Sequence, residues 1–356
     1  MEKKTAMIAM SGGVDSSVAA YLMQQEGYSC AGVTMQMCTA ALLGGKVPAD
    51  NVNDARQVAQ KLGMEFFICD GTEDFARQVV APFIRCYEEG GTPNPCIRCN
   101  NTIKFGVLLD FALEKGRQLL VTGHYARLRQ DPDTGRWLLR KAKDEAKDQT
   151  YFLAGLTQAQ LSHARFPLGE FTKDEIREIA LAQGFLNARK RDSQDICFIP
   201  DGDFAAFIRR YTGKDYPAGD YLDLTGKVVG RHQGAFCYTI GQRKGLGIAL
   251  GAPAYVVDKD MAANTVTVGP NEALFRDTLE ASNWNWLPFP TLESPMEVMA
   301  KVRYRHIPQP ATVYPLANGN ARVVFKEPQR AITKGQAVVL YQDDTVIGSG
   351  TIERIL

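Results

Sequence analysis

The chain has 356 residues, of which 45% are hydrophobic and 23% charged; this composition favours a folded protein, and the length favours two or three domains. The formal net charge of +1 excludes a uniformly basic nucleic-acid-binding protein but allows a local basic face. No apolar stretch reaches the length of a membrane span, and eight scattered cysteines are typical of a reducing compartment. We therefore expect a cytoplasmic protein with no membrane partner.

The first third of the chain alternates apolar strand patterns with helical patterns. The predicted strands cover 5–10, 30–37, 65–70 and 118–123. The predicted helices cover 16–27, 53–63, a segment that ends near residue 86, and 100–116. Strands separated by helices in this way predict a parallel, doubly wound sheet.

The pattern changes in the remainder of the chain. Residues 125–142 alternate apolar and polar side chains around a Pro-Asp-Thr-Gly turn, which predicts a β-hairpin. Helical patterns follow at 157–163, 172–183 and 203–211. Beyond about Tyr216 glycines accumulate, and short strand patterns joined by Asn-Gly and Asp-Asp turns predict a small antiparallel barrel or sandwich.

These patterns together predict an α/β protein with three domains. Residues 1–205 would form the doubly wound parallel domain, residues 206–278 a small β-rich central domain, and residues 279–356 a C-terminal antiparallel β-barrel. No internal repeat or low-complexity tract interrupts this order.

The segment SGGVDS, residues 11–16, lies where the first predicted strand meets the first predicted helix. At such a junction free N–H groups and the helix dipole favour a phosphate, and paired glycines let a ligand approach the backbone. Ser11 and Ser16 offer hydroxyl groups, and Asp15 could help to position a magnesium ion. The segment lacks the Lys-Ser/Thr of a Walker A loop and the spacing of a dinucleotide fingerprint. A plain turn with Ser and Asp as helix caps is the alternative.

The segment GGTPNPCIRCNNTIKFG places a cysteine at a helix start. Cys99 lies just before a helix that is predicted to open at Asn100 or Asn101. A helix N-terminus lowers the pKa of a thiol, and the charges of Arg98 and Lys104 would act in the same direction. We therefore expect Cys99 to favour the thiolate.

A second cysteine in polar surroundings follows about a hundred residues later, where RDSQDICFIPDGDF contains Cys197. Taken alone, Cys99 or Cys197 could be a structural residue. The CxxC formed by Cys96 and Cys99 suggests half of a zinc site or a redox pair, but no second CxxC supplies four zinc ligands.

The glycine loop and the cysteine segments resemble known enzymes. SGGVDS resembles the pyrophosphatase loop of the ATP-pyrophosphatase superfamily, which binds ATP and cleaves it between the α and β phosphates to leave an adenylate. Seven segments in order, covering essentially the whole chain, resemble the tRNA-specific 2-thiouridylase family, which thiolates the wobble uridine of certain tRNAs. These segments are SGGVDSSVAA, TPNPCIRCNNTIKFG, VTGHYAR, KDQTYFL, DSQDICFI, TIGQRKGLGI and VRYRH.

The resemblance implies a role for several sets of residues. Catalysis is implied for Cys99 and Cys197. The implied ATP-binding residues are Ala9, Met10, Ser11, Gly12, Gly13, Val14, Asp15, Ser16, Met35 and Gly123. The implied tRNA-binding residues are Asn94, Pro95, Cys96, Lys147, Asp148, Gln149, Arg303 and Tyr304, of which the first three lie near the target base.

The resemblance also implies substrates and partners. ATP with Mg²⁺ would adenylate the 2-oxygen of the wobble uridine in the tRNA anticodon loop. A donor protein, such as a cysteine desulfurase or a sulfur relay protein, would place a persulfide on Cys197. Cys99 would then act as the second thiol that releases the sulfur and would leave a Cys99–Cys197 disulfide. The central domain would contact the tRNA.

One position departs from the family pattern, because many members have Asp where this chain has Cys96. A third thiol opens a second route, in which Cys96, Cys99 and Cys197 hold a [4Fe–4S] cluster that binds the incoming sulfide. We favour the persulfide route, since two cysteines suffice for it. Two other functions remain as alternatives: an amide-forming synthetase with the same loop, and a nucleotide-gated RNA-binding protein without chemistry.

Overall fold

The computed structural model describes residues 4–45, 51–188, 196–249 and 251–356. The α-helices are α1 (Val14–Gln25), α2 (Asn51–Lys61), α3 (Thr72–Phe75), α4 (Ala81–Glu88), α5 (Pro95–Cys99), α6 (Leu108–Glu114), α7 (Thr150–Leu153), α8 (Gln158–His163), α9 (Lys173–Ala182) and α10 (Phe204–Thr212). The strands are β1 (Thr5–Ala9), β2 (Ser29–Gln36), β3 (Glu65–Asp70), β4 (Leu119–Val121), β5 (Arg127–Gln130), β6 (Trp137–Arg140), β7 (Ala164–Arg165), β8 (Gly219–Leu222), β9 (Val228–His232), β10 (Tyr255–Asp260), β11 (Thr265–Gly269), β12 (Phe275–Trp286), β13 (Met296–Lys301), β14 (Gln309–Pro315), β15 (Ala321–Arg330), β16 (Ala337–Gln342) and β17 (Thr345–Ile355).

The N-terminal part contains a parallel sheet with the strand order β3-β2-β1-β4-β7. Successive residues of a strand point to opposite faces of a sheet, and both faces are covered here. Ile8 of β1 packs in one core with Val18 of α1, whereas Met7 packs in another core with Leu109 of α6. The predicted doubly wound sheet is therefore confirmed.

The helix that carries the cysteine segment begins earlier than predicted. It starts at Pro95, where the side chain of Asn94 accepts a hydrogen bond of 3.3 Å from the N–H of Ile97. Proline is favoured in the first turn and asparagine at the N-cap, so these two residues together set the helix start. A π-helical segment, Asn100–Val107, continues the helix into α6. Cys99 consequently lies inside a helix, and the prediction that it precedes one is wrong.

The C-terminal part is a closed antiparallel barrel, which confirms that prediction. In the described chain its strands follow the order β12-β15-β14-β13-β16-β17, and β12 pairs with β17 to close it. The β16–β17 turn contains Asp343 at φ 51°, and the β14–β15 turn contains Asn318 at φ 70°, as expected for Asp-Asp and Asn-Gly hairpin turns. The central part is a smaller sheet with the order β10-β11-β8-β9.

The predicted hairpin is also present, as β5 paired with β6. It does not join the N-terminal sheet but extends the barrel sheet through β6 and β17. Asp344 in the β16–β17 turn fixes this contact by ion pairs of 2.9 Å with Arg127 and 2.6 Å with Arg140. A segment from the first 205 residues thus packs as part of the barrel, and the predicted domain limits stay a prediction.

Helices in the described ranges are all too short or too polar to cross a membrane.

Candidate active site

The glycine loop lies between the carboxyl end of β1 and the start of α1. Gly12 adopts φ +70°, and a Cβ atom there would lie 2.6 Å from the carbonyl oxygen of Asn51, so this position requires glycine. Gly13 is the N-cap of α1 and has no side chain to bond the first helical N–H groups. An uncapped helix N-terminus in an α/β sheet favours an anion such as a phosphate.

The loop serines hold the loop together and do not cap α1. The hydroxyl of Ser16 accepts a hydrogen bond of 3.3 Å from the N–H of Ser11 and donates one of 3.1 Å to the carbonyl oxygen of Gly13. Ser17 donates to the same carbonyl oxygen at 3.0 Å. The alternative of a plain turn with Ser as a helix cap therefore does not describe this loop.

The other residues expected at the ATP site lie at the same sheet edge. A Cβ atom on Gly123, just after β4, would lie 2.9 Å from the backbone N of Ser16 and 2.9 Å from the backbone C of Asp15. Met10 follows β1, and its carbonyl oxygen accepts a hydrogen bond of 2.7 Å from Thr34 of β2. The remaining three are Ala9 at the end of β1, buried Val14 at the start of α1, and half-buried Met35 near the end of β2. Ligands bind at the carboxyl ends of strands in such sheets.

Asp15 has protein partners that the sequence did not indicate. Lys173, at the start of α9, donates to its carboxylate at 2.8 and 2.9 Å, and the hydroxyl of Tyr125 donates to it at 3.0 Å. Lys173 itself is 5% exposed. Buried Asn187 donates to the carbonyl oxygen of Gly12 at 3.2 Å. In this structure the carboxylate that was expected to face Mg²⁺ is therefore paired with an ammonium group, while its side chain keeps 29% exposure.

Four cysteines lie close together. The thiols of Cys96, Cys99 and Cys197 are near enough to influence one another's ionisation. Cys38, which follows β2, packs against the apolar cluster that contains Phe198, the chain neighbour of Cys197. All eight cysteines lie in the described part of the chain and carry free thiols. The polar residues just before Cys197, at 192–195, lie outside the described residues.

The surroundings of Cys99 oppose its ionisation. Burial raises the pKa of this thiol to about 12, although the ammonium group of Lys104 acts in the other direction. Burial also raises the pKa of Cys96, although its side chain reaches solvent. Arg98 does not face the thiols, because its guanidinium donates to the carbonyl oxygen of Gln78. The expected thiolate at Cys99 is therefore a wrong prediction, since a buried apolar position outweighs one nearby cation.

Lys104 is the cation shared by the thiols. The pKa values of Cys96, Cys99 and Cys197 are all raised by burial or by a neighbouring thiol. The charge of Lys104 opposes this rise at each of the three thiols but is the smaller effect. The Nζ of Lys104 lies 3.5 Å from Nε2 of half-buried His124. Burial and this cation hold the pKa of His124 well below its ordinary value, so the imidazole is neutral beside Lys104.

Cys38 and Cys197 also influence each other's ionisation. Interaction with Cys197 lowers the pKa of Cys38, whereas interaction with Cys38, together with burial, raises the pKa of Cys197 well above its ordinary value.

A metal cluster does not fit the thiols as they are placed. Within the described ranges no group of three His, Cys, Asp or Glu side chains is arranged to hold a metal ion. Cys96, Cys99 and Cys197 share a region without forming such a ligand set.

The barrel supports the loop that leads to the cysteine helix. The N–H of Thr92 donates to the carbonyl oxygen of Lys334 at 2.8 Å. Gln336 donates from its side chain to the carbonyl oxygen of Thr92 at 2.9 Å. Asn94 and Pro95, expected near the target base, follow directly as the N-cap and first residue of α5.

The other residues expected to contact tRNA fall into two groups. Asp148 and Gln149 bond within the protein: Asp148 accepts from the hydroxyl of Thr150 at 2.6 Å, and Gln149 accepts from the N–H of Tyr125 at 2.9 Å. Arg303 is similarly engaged, since its guanidinium donates to two carbonyl oxygens and a hydroxyl between the barrel and the central part.

Lys147 and Tyr304 lie together near α7. Burial raises the pKa of the Tyr304 hydroxyl, and the charge of Lys147 acts in the opposite direction. The ring of Tyr304 packs on Phe152 with centroids 4.3 Å apart. The carbonyl oxygen of Phe152 accepts a hydrogen bond of 3.0 Å from Asn100, which follows Cys99 in the chain. A half-buried aromatic pair and a lysine thus adjoin the cysteine helix.

Comparison with known proteins identifies the family. Family models match residues 4–201 (tRNA methyl transferase HUP domain), 205–270 (tRNA methyl transferase PRC-barrel domain) and 276–352 (Aminomethyltransferase beta-barrel domain). A solved complex of a 4-thiouridine synthetase with RNA and bound ATP is 16% identical over 59% of this chain and 50% of its own, with a TM-score of 0.36, which is too low to support an argument.

Curated relatives match along their full length. The tRNA-specific 2-thiouridylase MnmA of Clostridium perfringens is 47% identical over 100% of both chains. The protein of the same name from Heliobacterium modesticaldum is 48% identical over 99% of this chain and 94% of its own, and that from Clostridioides difficile is 46% identical over 99% of each. The chain therefore belongs to the tRNA-specific 2-thiouridylase family.

Proposed function

We propose that this chain is an ATP-dependent tRNA sulfurtransferase that converts the wobble uridine of tRNA to 2-thiouridine. Membership of the family supports the reaction. The observation that carries the proposal for this chain is the course of β2, which joins the two halves of the site. Thr34 bonds the glycine loop through the carbonyl oxygen of Met10. Met35 and Cys38, which follow in the chain, pack against the apolar cluster that contains Phe198, the chain neighbour of Cys197.

The distance along the chain limits how far apart the two halves lie. Met35 is implied at the ATP site, and Cys38 is three residues further on, so their Cα atoms are at most about 11 Å apart. This short span supports a site in which an adenylate at the glycine loop and a sulfur on Cys197 come close together, as the substitution of oxygen by sulfur requires.

The first step activates a poor leaving group. The 2-oxygen of the uridine attacks the α-phosphorus of ATP, pyrophosphate leaves, and the oxygen becomes part of an AMP leaving group. The uncapped N-terminus of α1 and the glycines at 12 and 13 bind the phosphates through backbone N–H groups. Mg²⁺ would accompany ATP, with Asp15 as the candidate ligand of the loop. Lys173 beside Asp15 would offer its positive charge to the same phosphates.

The second step delivers sulfur. A persulfide on Cys197 supplies the nucleophile, AMP leaves from carbon 2, and a second thiol attacks Sγ of Cys197 so that the bond to the transferred sulfur breaks. The products are 2-thiouridine, AMP and an enzyme disulfide, which an external dithiol reduces before the next turnover. A donor protein would supply the persulfide to Cys197, whose side chain is exposed. We derive no step through an iron–sulfur cluster, because the thiols do not form a ligand set.

For the tRNA, we propose contacts through Lys147 and Tyr304, beside the N-terminus of the cysteine helix at Asn94, Pro95 and Cys96. Lysine would pair with a phosphate, and an aromatic ring offers a stacking surface for a base that has left the anticodon stack. Arg303, held by protein oxygens, would position its neighbour Tyr304 without touching RNA.

The test combines purified protein, a tRNA transcript, ATP and a persulfide donor. We expect tRNA-dependent release of pyrophosphate and AMP, and 2-thiouridine in the digested tRNA by mass spectrometry. Cys197→Ser should keep pyrophosphate release and lose thiolation, whereas Cys30→Ser, at the start of β2, serves as a matched control. Absence of tRNA-dependent pyrophosphate release would favour an RNA-binding protein, and transfer of ammonia in place of sulfur would favour an amide-forming synthetase.

The same assay separates the two sulfur routes. Cys96→Asp should thiolate tRNA from a persulfide donor in an iron-free protein, because the persulfide route does not use this thiol. A brown protein after anaerobic purification, with colour and activity both lost in Cys96→Ala, would contradict the persulfide route.

A further inference from the structure

The carboxylate of Asp15 is held by two side chains from distant parts of the chain. The hydroxyl of Tyr125 donates to it at 3.0 Å, and the ammonium group of Lys173 donates to it at 2.8 and 2.9 Å. Both partners are almost completely buried, with exposed fractions of 2% for Tyr125 and 5% for Lys173. They therefore act on the glycine loop from inside the protein, where a bound macromolecule has little access to them.

One short segment, residues 144–149, holds both of these partners. The backbone N–H of Tyr125 donates to the side-chain oxygen of Gln149 at 2.9 Å, and the N–H of Gln149 donates to the carbonyl oxygen of Tyr125 at 2.9 Å. At the other end of the segment, the carboxylate of Asp144 accepts a hydrogen bond of 3.0 Å from the N–H of Lys173. Two routes of hydrogen bonds therefore connect this segment to the carboxylate of the glycine loop, one through Tyr125 and one through Lys173.

The same segment contains one of the tRNA contacts proposed above. Lys147, which would pair with a phosphate of the tRNA, lies within it. The segment is described in full and joins β6 to α7 without forming a helix or strand, and connecting segments of this kind move more readily than the elements they join. A phosphate bound at Lys147 would restrict the segment, and with it the positions of Tyr125 and Lys173.

We propose that residues 144–149 couple tRNA binding to ATP binding, and that Tyr125 is the positioning residue that transmits this coupling to Asp15. A tRNA bound at Lys147 holds the segment, the segment holds Tyr125 and Lys173, and these two residues hold the carboxylate at the phosphate-binding loop. ATP therefore binds most tightly when tRNA is in place. This inference rests on the proposed function, since it requires tRNA and ATP as the two ligands.

Coupling of this kind acts in both directions. When tRNA has fixed the segment, ATP meets a loop that no longer has to be ordered, so it binds more tightly. ATP must in turn tighten the binding of tRNA by the same factor. The consequence for the enzyme is that little ATP is bound, and little is cleaved, while no tRNA is present to accept the adenylate.

The experiment uses the full-length protein, a tRNA transcript and α,β-methylene-ATP, in which the link between the α and β phosphates resists cleavage. Isothermal titration gives the affinity for the nucleotide with and without saturating tRNA, and filter binding gives the affinity for tRNA with and without the nucleotide. Tyr125→Phe removes only the hydroxyl that reaches Asp15 and keeps the backbone bonds to Gln149. Tyr221→Phe is the matched control, because this tyrosine is also buried and its hydroxyl donates to the carbonyl oxygen of Leu246 at 2.9 Å in the central part.

In the parent protein we expect tRNA to tighten nucleotide binding by about tenfold, within the usual range of coupling between two sites. In Tyr125→Phe this factor should fall below about threefold, while the affinity for tRNA without nucleotide stays parental, because a buried hydroxyl does not touch RNA. Tyr221→Phe should keep the parental factor. Asp144→Ala, which breaks the route through Lys173, should also lower the factor, and it replaces Tyr125→Phe as the test if thermal unfolding shows that Tyr125→Phe is not folded.

Three results would overturn the inference and leave the proposed function standing. The first is a folded Tyr125→Phe with the parental factor, since the coupling then does not pass through Tyr125. The second is an equal loss of the factor in Tyr221→Phe, which would indicate a general loosening of the protein. The third is a parent protein in which tRNA does not change nucleotide affinity although it is needed for pyrophosphate release from ATP. Absence of that release would instead refute the proposed function itself.

Discussion

The ion pair between Lys173 and Asp15 provides a direct test of how the glycine loop is held. Lys173→Met removes the positive charge and keeps most of the side-chain length. At 2.8 Å and an effective dielectric constant of about 20, the direct attraction is about 6 kcal/mol, part of which is offset by desolvation. Removing one partner of a buried pair costs about 3–5 kcal/mol. Asp15 remains 29% exposed and keeps the Tyr125 hydroxyl, so we expect a loss near 3 kcal/mol in the free energy of unfolding.

The assay is urea unfolding followed by far-UV circular dichroism, read at the transition of the N-terminal part because a chain with several domains need not unfold in two states. Lys143→Met is the matched control. It breaks an exposed pair with Glu175 at 3.1 Å, whose side chains are 50% and 43% exposed, so it should cost at most about 1 kcal/mol.

A double variant tests the pairing itself. Lys173→Met combined with Asp15→Asn leaves neither charge unpaired, so the loss should be smaller than the sum of the two single losses by about 1 kcal/mol or more. Two results would contradict the importance of this pair. One is a loss of unfolding free energy in Lys173→Met no larger than that in Lys143→Met. The other is a double variant whose loss equals the sum of the losses in Lys173→Met and Asp15→Asn. Isothermal titration with ATP should in addition show weaker binding for Lys173→Met, since the loop is no longer held.

Three further results follow from the site. Gly123→Ala should weaken ATP binding by about tenfold, because the new Cβ would lie 2.9 Å from backbone atoms of the first turn of α1. The control Gly106→Ala, whose Cβ would lie 3.4 Å from the carbonyl oxygen of Asn101, should bind ATP normally in the same titration. The rate at which iodoacetamide labels Cys99 should rise about tenfold per pH unit from pH 8 to 10, because the pKa of this thiol is about 12. A labelling rate that levels off near pH 9, as expected for a cysteine in the unfolded chain, would contradict this. Lys147→Gln should weaken tRNA binding and reduce the slope of log K against log salt by about 0.7–0.9 without changing ATP affinity, and an unchanged slope in filter binding would remove this residue from the interface.

Local patterns explain why so much of the fold was predictable. The strands β1 to β4 are short runs rich in apolar residues, and the helix α2 between two of them buries Ala55, Val58 and Ala59 on one face, so the period of the apolar residues separates strand from helix. The turn that contains Asp343 is set by two adjacent residues. The start of the cysteine helix differs from the predicted start at Asn100 or Asn101 although its signal is local, because Asn94 is the N-cap and Pro95 the first-turn residue.

The contacts that the sequence did not reveal join distant parts of the chain. Lys173 reaches Asp15 across 158 residues, and nothing near either residue indicates the other. Cys38 belongs to no motif, and only the packing of β2 against the segment around Cys197 brings it to the site. Burial also raises the pKa of Cys99, although the two neighbouring cations in the sequence, Arg98 and Lys104, favoured the prediction of a thiolate.

The support of Thr92 by the barrel has a consequence for how the protein is made. The ribosome adds residues from the N-terminus at about 5–20 per second. Gln336 is 244 residues later than Thr92, so the loop before the cysteine helix waits roughly 12–50 s for its partner during synthesis. The glycine loop is made before that interval begins and the last of the eight cysteines, Cys237, well before it ends, yet the loop before the cysteine helix has no support from the barrel until then. Maturation of this region therefore coincides with completion of the polypeptide, and a product that terminates before the last barrel strands has all eight cysteines but lacks the hydrogen bonds that hold the loop before the cysteine helix.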